Sequence, residues 1–277
     1  MPAPEADTAA DLVLIEEAVR EAGKIARSYF GGTYRSWDKG KGQPVSEADL
    51  AVDRFLRDTL IAARPGYGWL SEETEDDPAR RATPNTFVVD PIDGTIAFLK
   101  GKPHFTICAA VVRDGRPVSG VVFNPITDEC FTASAGNGAN LNGRPAAVTS
   151  RAEIEGCRML AAKATFDHPG WSVPPNSPWP QMAVETRSSI AYRMALVAGG
   201  RYDAMLALST KHDWDLAAGD IIVGEAGGRV TDHRGRALRY NGAEPLQPSV
   251  VCAGPALHVQ LLAKMEHLRL PTHRGSP

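Results

Sequence analysis

Two stretches near the start of the chain have the spacing of apolar residues that is typical of amphipathic helices. In residues 8–30 apolar side chains recur every three or four positions, and the run stops at Gly31. This pattern predicts a first helix. A second helix is predicted to begin in the acid-rich run from Ser46 to Asp49, because acidic side chains are favoured in the first turn of a helix. Pro65 closes this second helix.

The next part of the chain carries short apolar runs separated by turn residues, a pattern that favours β-strands. The first strand is predicted over residues 86–90, where an apolar run ends abruptly at Asp90 and Pro91. Consecutive strands are expected to pair as an antiparallel meander, because the turns between them are short. The turn-rich stretch over residues 136–145 is interpreted as the edge of this region. The further strands are predicted over residues 105–112, 118–123 and 129–133.

Helices and strands alternate in the second half of the chain, which indicates a mixed α/β region. Residues 169–180 are rich in proline and are predicted to form a loop, and the last eight residues are predicted to form a disordered tail. We divide the chain into an N-terminal half, residues 1–150, and a C-terminal half, residues 151–277. The elements predicted in the second half are a helix over Ile190–Ala198, a strand over 202–207, a helix over 214–226 and a strand over 250–252.

The composition is that of an ordinary globular chain and argues against several classes of function. The 277 residues are 43% hydrophobic and 23% charged, with a formal net charge of −3. No overall field therefore attracts nucleic acid or an anionic membrane. No apolar run approaches the ~18 residues of a transmembrane helix, and the N-terminus lacks a signal-peptide pattern. The four scattered cysteines predict neither a zinc site nor a disulfide framework, so a cytoplasmic protein is expected.

The sequence DPIDGT, which begins at Asp90, combines the end of a strand with two carboxylates. Proline forces a turn, so Asp93 is able to fold back beside Asp90 and to face the same cavity as the carbonyl group of Ile92. Mg²⁺ prefers such hard oxygen ligands and often bridges carboxylates to a substrate phosphate. The N–H groups of Gly94 and Thr95 begin a predicted short helix and are candidates for binding phosphate. Taken alone, the segment also fits a plain surface turn.

Three segments, taken together and in this order, favour the catalytic interpretation. They are Ser71-Glu72-Glu73, the DPIDGT turn with its Phe98, and Trp214-Asp215 followed by Ala217-Ala218-Gly219 and Glu225-Ala226-Gly227-Gly228. With these segments the chain resembles the inositol monophosphatase family, the lithium-sensitive magnesium phosphatases, from about residue 12 to residue 252. The resemblance implies an α+β or α/β fold: the layered αβαβα sandwich of the inositol monophosphatase and fructose-1,6-bisphosphatase type. It also implies a phosphoric monoester hydrolase that is commonly a homodimer.

The resemblance implies a set of metal ligands. The side chains of Glu72, Asp90, Asp93 and Asp215 would hold the metal, with the carbonyl group of Ile92 as a fifth protein oxygen. Two or three Mg²⁺ ions are expected. Inhibition by Li⁺ is implied as well, through occupation of one of the metal sites.

The resemblance also implies a catalytic set of Asp49, Glu72 and Thr95. Asp49 matches the family aspartate that works with the threonine after Asp-Gly to orient and deprotonate the attacking water. The sequence contains no C-x₅-R phosphatase loop and no G-x-S-x-G elbow, so a cysteine or serine nucleophile is not indicated. Direct attack by water is the favoured mechanism.

Two positions depart from the pattern of the family. Ala97 stands where the family usually has asparagine, which bears on loop geometry but removes no metal ligand. Leu208 stands seven positions before Asp215, where inositol-specific members carry a glutamate that holds ring hydroxyls. The nearby Lys211 is instead a candidate for binding a second substrate phosphate. The residues predicted to contact the substrate are Asp93, Ser188, Ser189, Lys211 and Asp215.

The identity of the substrate, a small phosphorylated metabolite, stays open at this point. Inositol 1-phosphate is the first candidate, 3'-phosphoadenosine 5'-phosphate is the second, and histidinol phosphate is the third. A regulatory binding protein on a phosphatase scaffold is the non-enzymatic alternative. Against that alternative, every predicted ligand position is filled by the expected acid.

Overall fold

The computed structural model describes residues 4–40, 42–167 and 169–270. No helix in these ranges is both long enough and apolar enough to cross a bilayer. The helices are α1 (Pro4–Tyr29), α2 (Glu47–Ala63), α3 (Thr95–Leu99), α4 (Ile190–Ala198), α5 (Ala217–Glu225) and α6 (Pro255–Lys264). The strands are β1 (Ser36–Asp38), β2 (Pro44–Ser46), β3 (Gly68–Ser71), β4 (Asn85–Asp93), β5 (Thr106–Arg113), β6 (Arg116–Asn124), β7 (Glu129–Ser134), β8 (Ala139–Leu141), β9 (Arg144–Ala146), β10 (Arg158–Leu160), β11 (Ala183–Glu185), β12 (Ala204–Ala207), β13 (Lys211–His212), β14 (Arg229–Thr231), β15 (Leu246–Gln247) and β16 (Val250–Ala253).

The larger sheet has seven strands in the order β3-β4-β5-β6-β7-β8-β9. Strands β4 to β7 pair antiparallel, which confirms the predicted meander. Strand β3 was not predicted, and it pairs parallel with β4 at the edge of the sheet. The stretch over residues 136–145 is more than a turn-rich edge, because β8 and β9 form a hairpin there that extends the sheet. Each of these two strands has three residues, too few to show an alternating pattern.

Side chains alternate between the two faces of this sheet, and both faces are apolar. Phe87 and Val89 lie in one core with the apolar sides of α1 and α2. Val88 and Ala110 lie on the opposite face, in a second core with residues of α4 and α5. The sheet is therefore buried between two layers of helices.

The smaller sheet has five strands in the order β11-β10-β12-β16-β14. Leu160 and Met205 lie on the face that shares the second core with α4 and α5. Met159 and Leu206 lie on the other face, in a third core with residues of α6. The layers are thus helices, sheet, helices, sheet and helix, which confirms the predicted αβαβα sandwich.

Element boundaries differ from the predicted ones close to the acidic segments. Strand β4 continues to Asp93, beyond the predicted end at Asp90. The helix predicted over residues 214–226 begins later, at Ala217, because the N–H groups of Leu216 and Ala217 first bond to the carbonyl oxygen of Asp213 in a turn. Helix α6 was not predicted.

The division at residue 150 stays a prediction. Residues 271–277 of the predicted tail lie outside the described residues.

Candidate active site

The DPIDGT turn connects β4 to α3 and carries the first two acids of the site. The pairing of β4 with β5 is irregular between Asp90 and Asp93, and such an irregularity re-aims side chains at the end of a strand. The two residues are only 1% and 6% exposed. Gly94 follows with φ of 97°. A Cβ atom on Gly94 would lie 3.0 Å from the carbonyl oxygen of His104 and from the backbone nitrogen of Ser189, so glycine is required here.

The carboxylate of Asp93 lies at the N-terminus of α4. The hydroxyl group of Ser189 donates to it at 2.7 Å, and the N–H groups of Ile190 and Ala191 donate at 3.2 and 2.7 Å. Ser189 itself caps the helix, since its Oγ accepts from the N–H group of Tyr192. These contacts tie an acid of the first half of the chain to a helix of the second half.

Asp215 is the third acid of the site and lies beside Asp90 and Asp93. It lies in the turn between β13 and α5, where its Oδ2 accepts from the N–H group of His212 at 2.9 Å. One carboxylate oxygen from each of Asp90, Asp93 and Asp215 lies within 4.8 Å of the others. We call these residues the aspartate trio.

The aspartate trio concentrates negative charge at a point where Asp90 and Asp93 are buried and Asp215 is half-buried. Burial raises the pKa of Asp90 well above its usual value, and the charges of Glu72, Asp93 and Asp215 raise it further. Burial also raises the pKa of Asp215 well above its usual value, with Asp93 as the next cause. The pKa of Asp93 is raised by burial, against the opposing effect of its hydrogen bond from Ser189. The arrangement therefore disfavours the ionised carboxylates unless a cation joins them.

A divalent cation fits the aspartate trio on two grounds. Asp90 Oδ1 is buried and has no hydrogen-bond donor among the described residues, whereas buried acceptors normally have a partner. The donor set is made of carboxylate oxygens without cysteine or histidine, and such sets favour hard cations. A bound metal would satisfy the acceptor and offset the mutual repulsion of the acids.

Glu72 and Glu73, which we call the glutamate pair, follow the end of β3 and are paired to a lysine. Lys39 Nζ lies 3.3 Å from Glu72 Oε1 and 2.8 Å from Glu73 Oε1. Burial raises the pKa of Glu72 to about 7, although Lys39 acts in the opposite direction. Glu72 does not belong to the trio, whose carboxylate oxygens lie within 4.8 Å of one another. Its charge nevertheless contributes to the raised pKa of Asp90 and of Asp215.

The segment that carries the glutamate pair is held from α2 by Asp53, a residue that sequence reasoning missed. The hydroxyl group of Ser71 donates to Asp53 Oδ1, and that of Thr74 donates to Oδ2 at 2.7 Å. Asp53 is 7% exposed. Its carboxylate therefore accepts hydrogen bonds from the residue just before the glutamate pair, Ser71, and from the residue just after it, Thr74.

Asp49 and Thr95 are in contact, and their joint catalytic role stays a prediction. The hydroxyl group of Thr95 lies 3.1 Å from Asp49 Oδ1 and 3.1 Å from the carbonyl oxygen of Ile92. Asp49 Oδ2 accepts from the backbone N–H and the hydroxyl group of Ser46, in the capping box at the start of α2. Burial raises the pKa of Asp49, which favours a group able to hold a proton.

A cavity of about 950 Å³ adjoins the trio, and Asp215 lines it. Of the predicted substrate contacts, Ser188 and Lys211 also line this cavity. Ser189 is fully buried behind Asp93, and its contact with substrate stays a prediction. Leu208 contributes to the wall.

Arg193 also lines this cavity and was missed by the sequence analysis, because the apolar spacing of α4 gives no signal for it. Burial lowers the pKa of Arg193 and the pKa of Lys211. Both side chains are half-buried. The wall of the cavity is thus positively charged beside the negatively charged trio.

Comparison with known proteins shows which family the chain belongs to. The model of the inositol monophosphatase family matches residues 8–270. The chain belongs to the inositol monophosphatase family. An inositol-1-monophosphatase from Rhizobium meliloti is 36% identical over 252 residues, which cover 87% of this chain and 90% of that protein. A histidinol-phosphatase from Chlorobaculum parvum is 32% identical over 237 residues, with 84% and 89% coverage.

Solved structures agree with this assignment. The extragenic suppressor protein suhB from Bartonella henselae superposes with a TM-score of 0.80 at 29% identity, covering 94% of this chain and 100% of that chain. The family resemblance inferred from the three sequence segments is therefore confirmed. As a member of the inositol monophosphatase family, the chain is a phosphoric monoester hydrolase.

Proposed function

We propose that the chain is a Mg²⁺-dependent phosphomonoesterase that hydrolyses a small phosphorylated metabolite by direct attack of water. The observation that carries the proposal is the aspartate trio, in which Asp90 and Asp93 are buried and Asp90 Oδ1 has no hydrogen-bond partner among the described residues. Glu72, Asp90, Asp93, Asp215 and the carbonyl group of Ile92 would hold two or three ions. Bound Mg²⁺ supplies a Lewis acid that lowers the pKa of a water molecule and stabilises charge on the leaving oxygen.

The residues of the chain orient the reacting groups and accept the proton. Thr95 Oγ1, held between Asp49 and the carbonyl oxygen of Ile92, orients the attacking water. Asp49 takes up the proton through the hydroxyl group of Thr95, and Glu72 assists from the glutamate pair. The N–H groups of Gly94 and Thr95 bind the phosphate. Asp93 and Asp215, with Ser188, Ser189 and Lys211, contact the rest of the substrate.

The first substrate we expect to be hydrolysed is inositol 1-phosphate, because the relative from Rhizobium meliloti is an inositol-1-monophosphatase. Histidinol phosphate is a second candidate, supported by the relative from Chlorobaculum parvum. For 3'-phosphoadenosine 5'-phosphate the support is the positively charged cavity wall. Inhibition by Li⁺, a cytoplasmic location and a homodimer are further expectations from the family resemblance.

The experiment is a phosphate-release panel with these three esters and fructose 1,6-bisphosphate, in Mg²⁺ and in chelator. We expect release in Mg²⁺ only. Thr95→Ala should lower kcat by about 10²-fold, the range of a general-base contribution, and Thr95→Ser should retain most of the activity. Absence of release from every ester, together with tight binding to a protein partner, would instead support a regulatory role.

A further inference from the structure

Asp213 is a buried acid, two residues before Asp215, to which the proposed function gives no role. It is fully buried. Its carbonyl oxygen accepts a hydrogen bond from the N–H group of Ala217 at 2.9 Å, which closes the turn that carries Asp215. Its carboxylate accepts from the N–H group of Asn241 at 2.7 Å and from Gln247 Nε2 at 2.8 Å. The turn of Asp215 is therefore fixed to the loop that contains Asn241.

This loop is bonded in turn to Arg80, an arginine from the first half of the chain. Arg80 lies in a short 3₁₀ helix between β3 and β4 and is 3% exposed. Its Nη1 donates to Asn241 Oδ1, and its Nη2 donates to the carbonyl oxygen of Gly242 at 3.1 Å. Asn241 Nδ2 also donates to Thr86 Oγ1, on β4, at 3.0 Å. The loop is thus held against the segment that leads into β4.

The same guanidinium group binds the segment that carries the glutamate pair. Arg80 Nε donates to Asp76 Oδ1 at 2.6 Å, and Nη2 donates to Oδ2 at 2.9 Å, a bidentate contact. Asp76 follows Glu73 by three positions. The donors of a guanidinium group are fixed in a planar fork, so they hold their partners at a defined distance and angle. Arg80 therefore connects the segment of the glutamate pair with the loop behind Asp215.

A second arginine with a buried acidic partner makes no such connection. Arg64 Nε lies 2.9 Å from Asp11 Oδ1, and the carboxylate of Asp11 is fully buried. This pair joins α1 to the end of α2 and reaches neither group of acids. Burying a charged side chain is costly unless its hydrogen bonds are made, so both arginines are expected to matter for stability. Only Arg80 is also placed to matter for the site.

We propose that Arg80 is a positioning residue that sets the distance between the glutamate pair and Asp215. It acts on the glutamate pair through Asp76. It acts on Asp215 through Asn241 and Asp213. The inference rests on the proposed function, since it takes both groups of acids as ligands of Mg²⁺. The distance matters because Mg²⁺ demands a nearly ideal octahedral arrangement of its ligands.

The test measures the affinity for Mg²⁺ in two ways: by titration calorimetry, and as the Mg²⁺ concentration for half-maximal phosphate release. In Arg80→Met we expect both constants to rise by about tenfold or more, the usual effect of removing a group that orients a metal ligand. The kcat at saturating Mg²⁺ should fall by less. Arg80→Lys keeps the charge but not the planar fork, so it should recover only part of the affinity. Full recovery in Arg80→Lys would overturn the geometric role.

Arg64→Met is the matched control, because it removes the other arginine that is paired to a buried acid. It should lower Tm and leave both Mg²⁺ constants unchanged. If Arg80→Met likewise lowers Tm without changing the Mg²⁺ constants, Arg80 only stabilises the fold and the proposal is overturned.

A second variant tests the connection where Arg80→Met does not fold. Asn241→Gly removes the acceptor of Arg80 Nη1 and keeps the backbone, because Asn241 has φ of 62°, which glycine adopts without strain. Both Mg²⁺ constants should rise, by less than in Arg80→Met. Adding Asn241→Gly to Arg80→Met should cause little further loss, since the two residues act in one network. Unchanged constants in Asn241→Gly overturn the proposal, and so do fully additive losses.

Failure of the proposed function can be told apart from failure of this inference. If the wild-type protein binds Mg²⁺ but hydrolyses no ester, the proposed function fails, and the calorimetric constants of the variants still test Arg80. If the wild-type protein hydrolyses esters and the variants bind Mg²⁺ as tightly as it does, only the inference fails. Absence of Mg²⁺ binding by the wild-type protein overturns both.

Discussion

The aspartate trio and the glutamate pair are two groups of acids in one site that balance their charge differently. Lys39 lies within ion-pair distance of both members of the glutamate pair. The trio has no such partner, and Asp90 Oδ1 lacks even a hydrogen bond among the described residues. The glutamate pair therefore has its own cation within ion-pair distance, whereas under the proposed function the trio binds metal ions. On that proposal, the metal requirement lies chiefly in the trio.

Neutralising a member of the trio should have the largest effect. In Asp90→Asn we expect Mg²⁺-dependent phosphate release to fall by about 10³-fold or more, because a lost ligand removes several kcal/mol of transition-state stabilisation. The fold should persist, since the substitution keeps the size of the side chain and removes a buried charge. Far-UV circular dichroism checks the fold. Asp128→Asn, whose side chain is 73% exposed, is the control, and equal turnover in the two variants would falsify the assignment.

Neutralising a member of the glutamate pair should have a smaller effect. In Glu72→Gln we expect turnover to fall by about 10²-fold, and part of the loss should be recovered at high Mg²⁺, because the trio is still intact. The measurement is kcat as a function of Mg²⁺ concentration, compared with Asp90→Asn. A loss in Glu72→Gln as large as in Asp90→Asn, without recovery, would show that the two groups act as one.

The local part of the site could be predicted from the sequence. The order of an apolar run, Asp90, a proline and then Gly94 indicates a tight turn, and such a turn is encoded by neighbouring residues, although β4 itself continues to Asp93. The expectation that Asp49 works with Thr95 and the proposed role of Asp215 as a metal ligand came from the family resemblance, not from spacing. The layered fold was predicted in the same way.

Side chains that meet across long stretches of sequence were not predicted. Lys39 lies 33 residues before Glu72, and nothing in the spacing of a glycine- and lysine-rich loop indicates which acid it meets. Asp53 and Arg193 each lie on a helix whose apolar pattern shows only the buried face. These partners are set by the packing of α2 and α4 against the sheets.

The pH dependence of stability should separate the metal-free state from the metal-bound state. The pKa of Glu72 is raised from 4.5 to about 7, and those of the trio are raised as well. The folded chain then binds these protons more tightly than the unfolded chain, so its stability increases as pH falls through this window and is lost as pH rises. In chelator we expect a Tm about 3 °C or more higher at pH 5.5 than at pH 8.

Saturating Mg²⁺ should flatten this dependence, because the metal replaces the protons on the acids. The measurement is thermal unfolding at both pH values, with and without Mg²⁺. In Asp90→Asn the difference between the two pH values in chelator should shrink. A metal-free protein that is more stable at pH 8 than at pH 5.5 would contradict the charge distribution described for the trio.

Releasing the glutamate pair from α2 should have the smallest effect of the four. In Asp53→Ala the hydroxyl groups of Ser71 and Thr74 lose their acceptor, so the segment that carries Glu72 is less well positioned for a metal. We expect the Mg²⁺ concentration for half-maximal activity to rise by about tenfold, as for other residues that orient a ligand, while kcat at saturating Mg²⁺ changes little. Asp58→Asn, an exposed acid on the same helix, is the matched control. A lower Tm with an unchanged Mg²⁺ requirement would mean that Asp53 only stabilises the fold. The glutamate pair would then bind metal without support from α2.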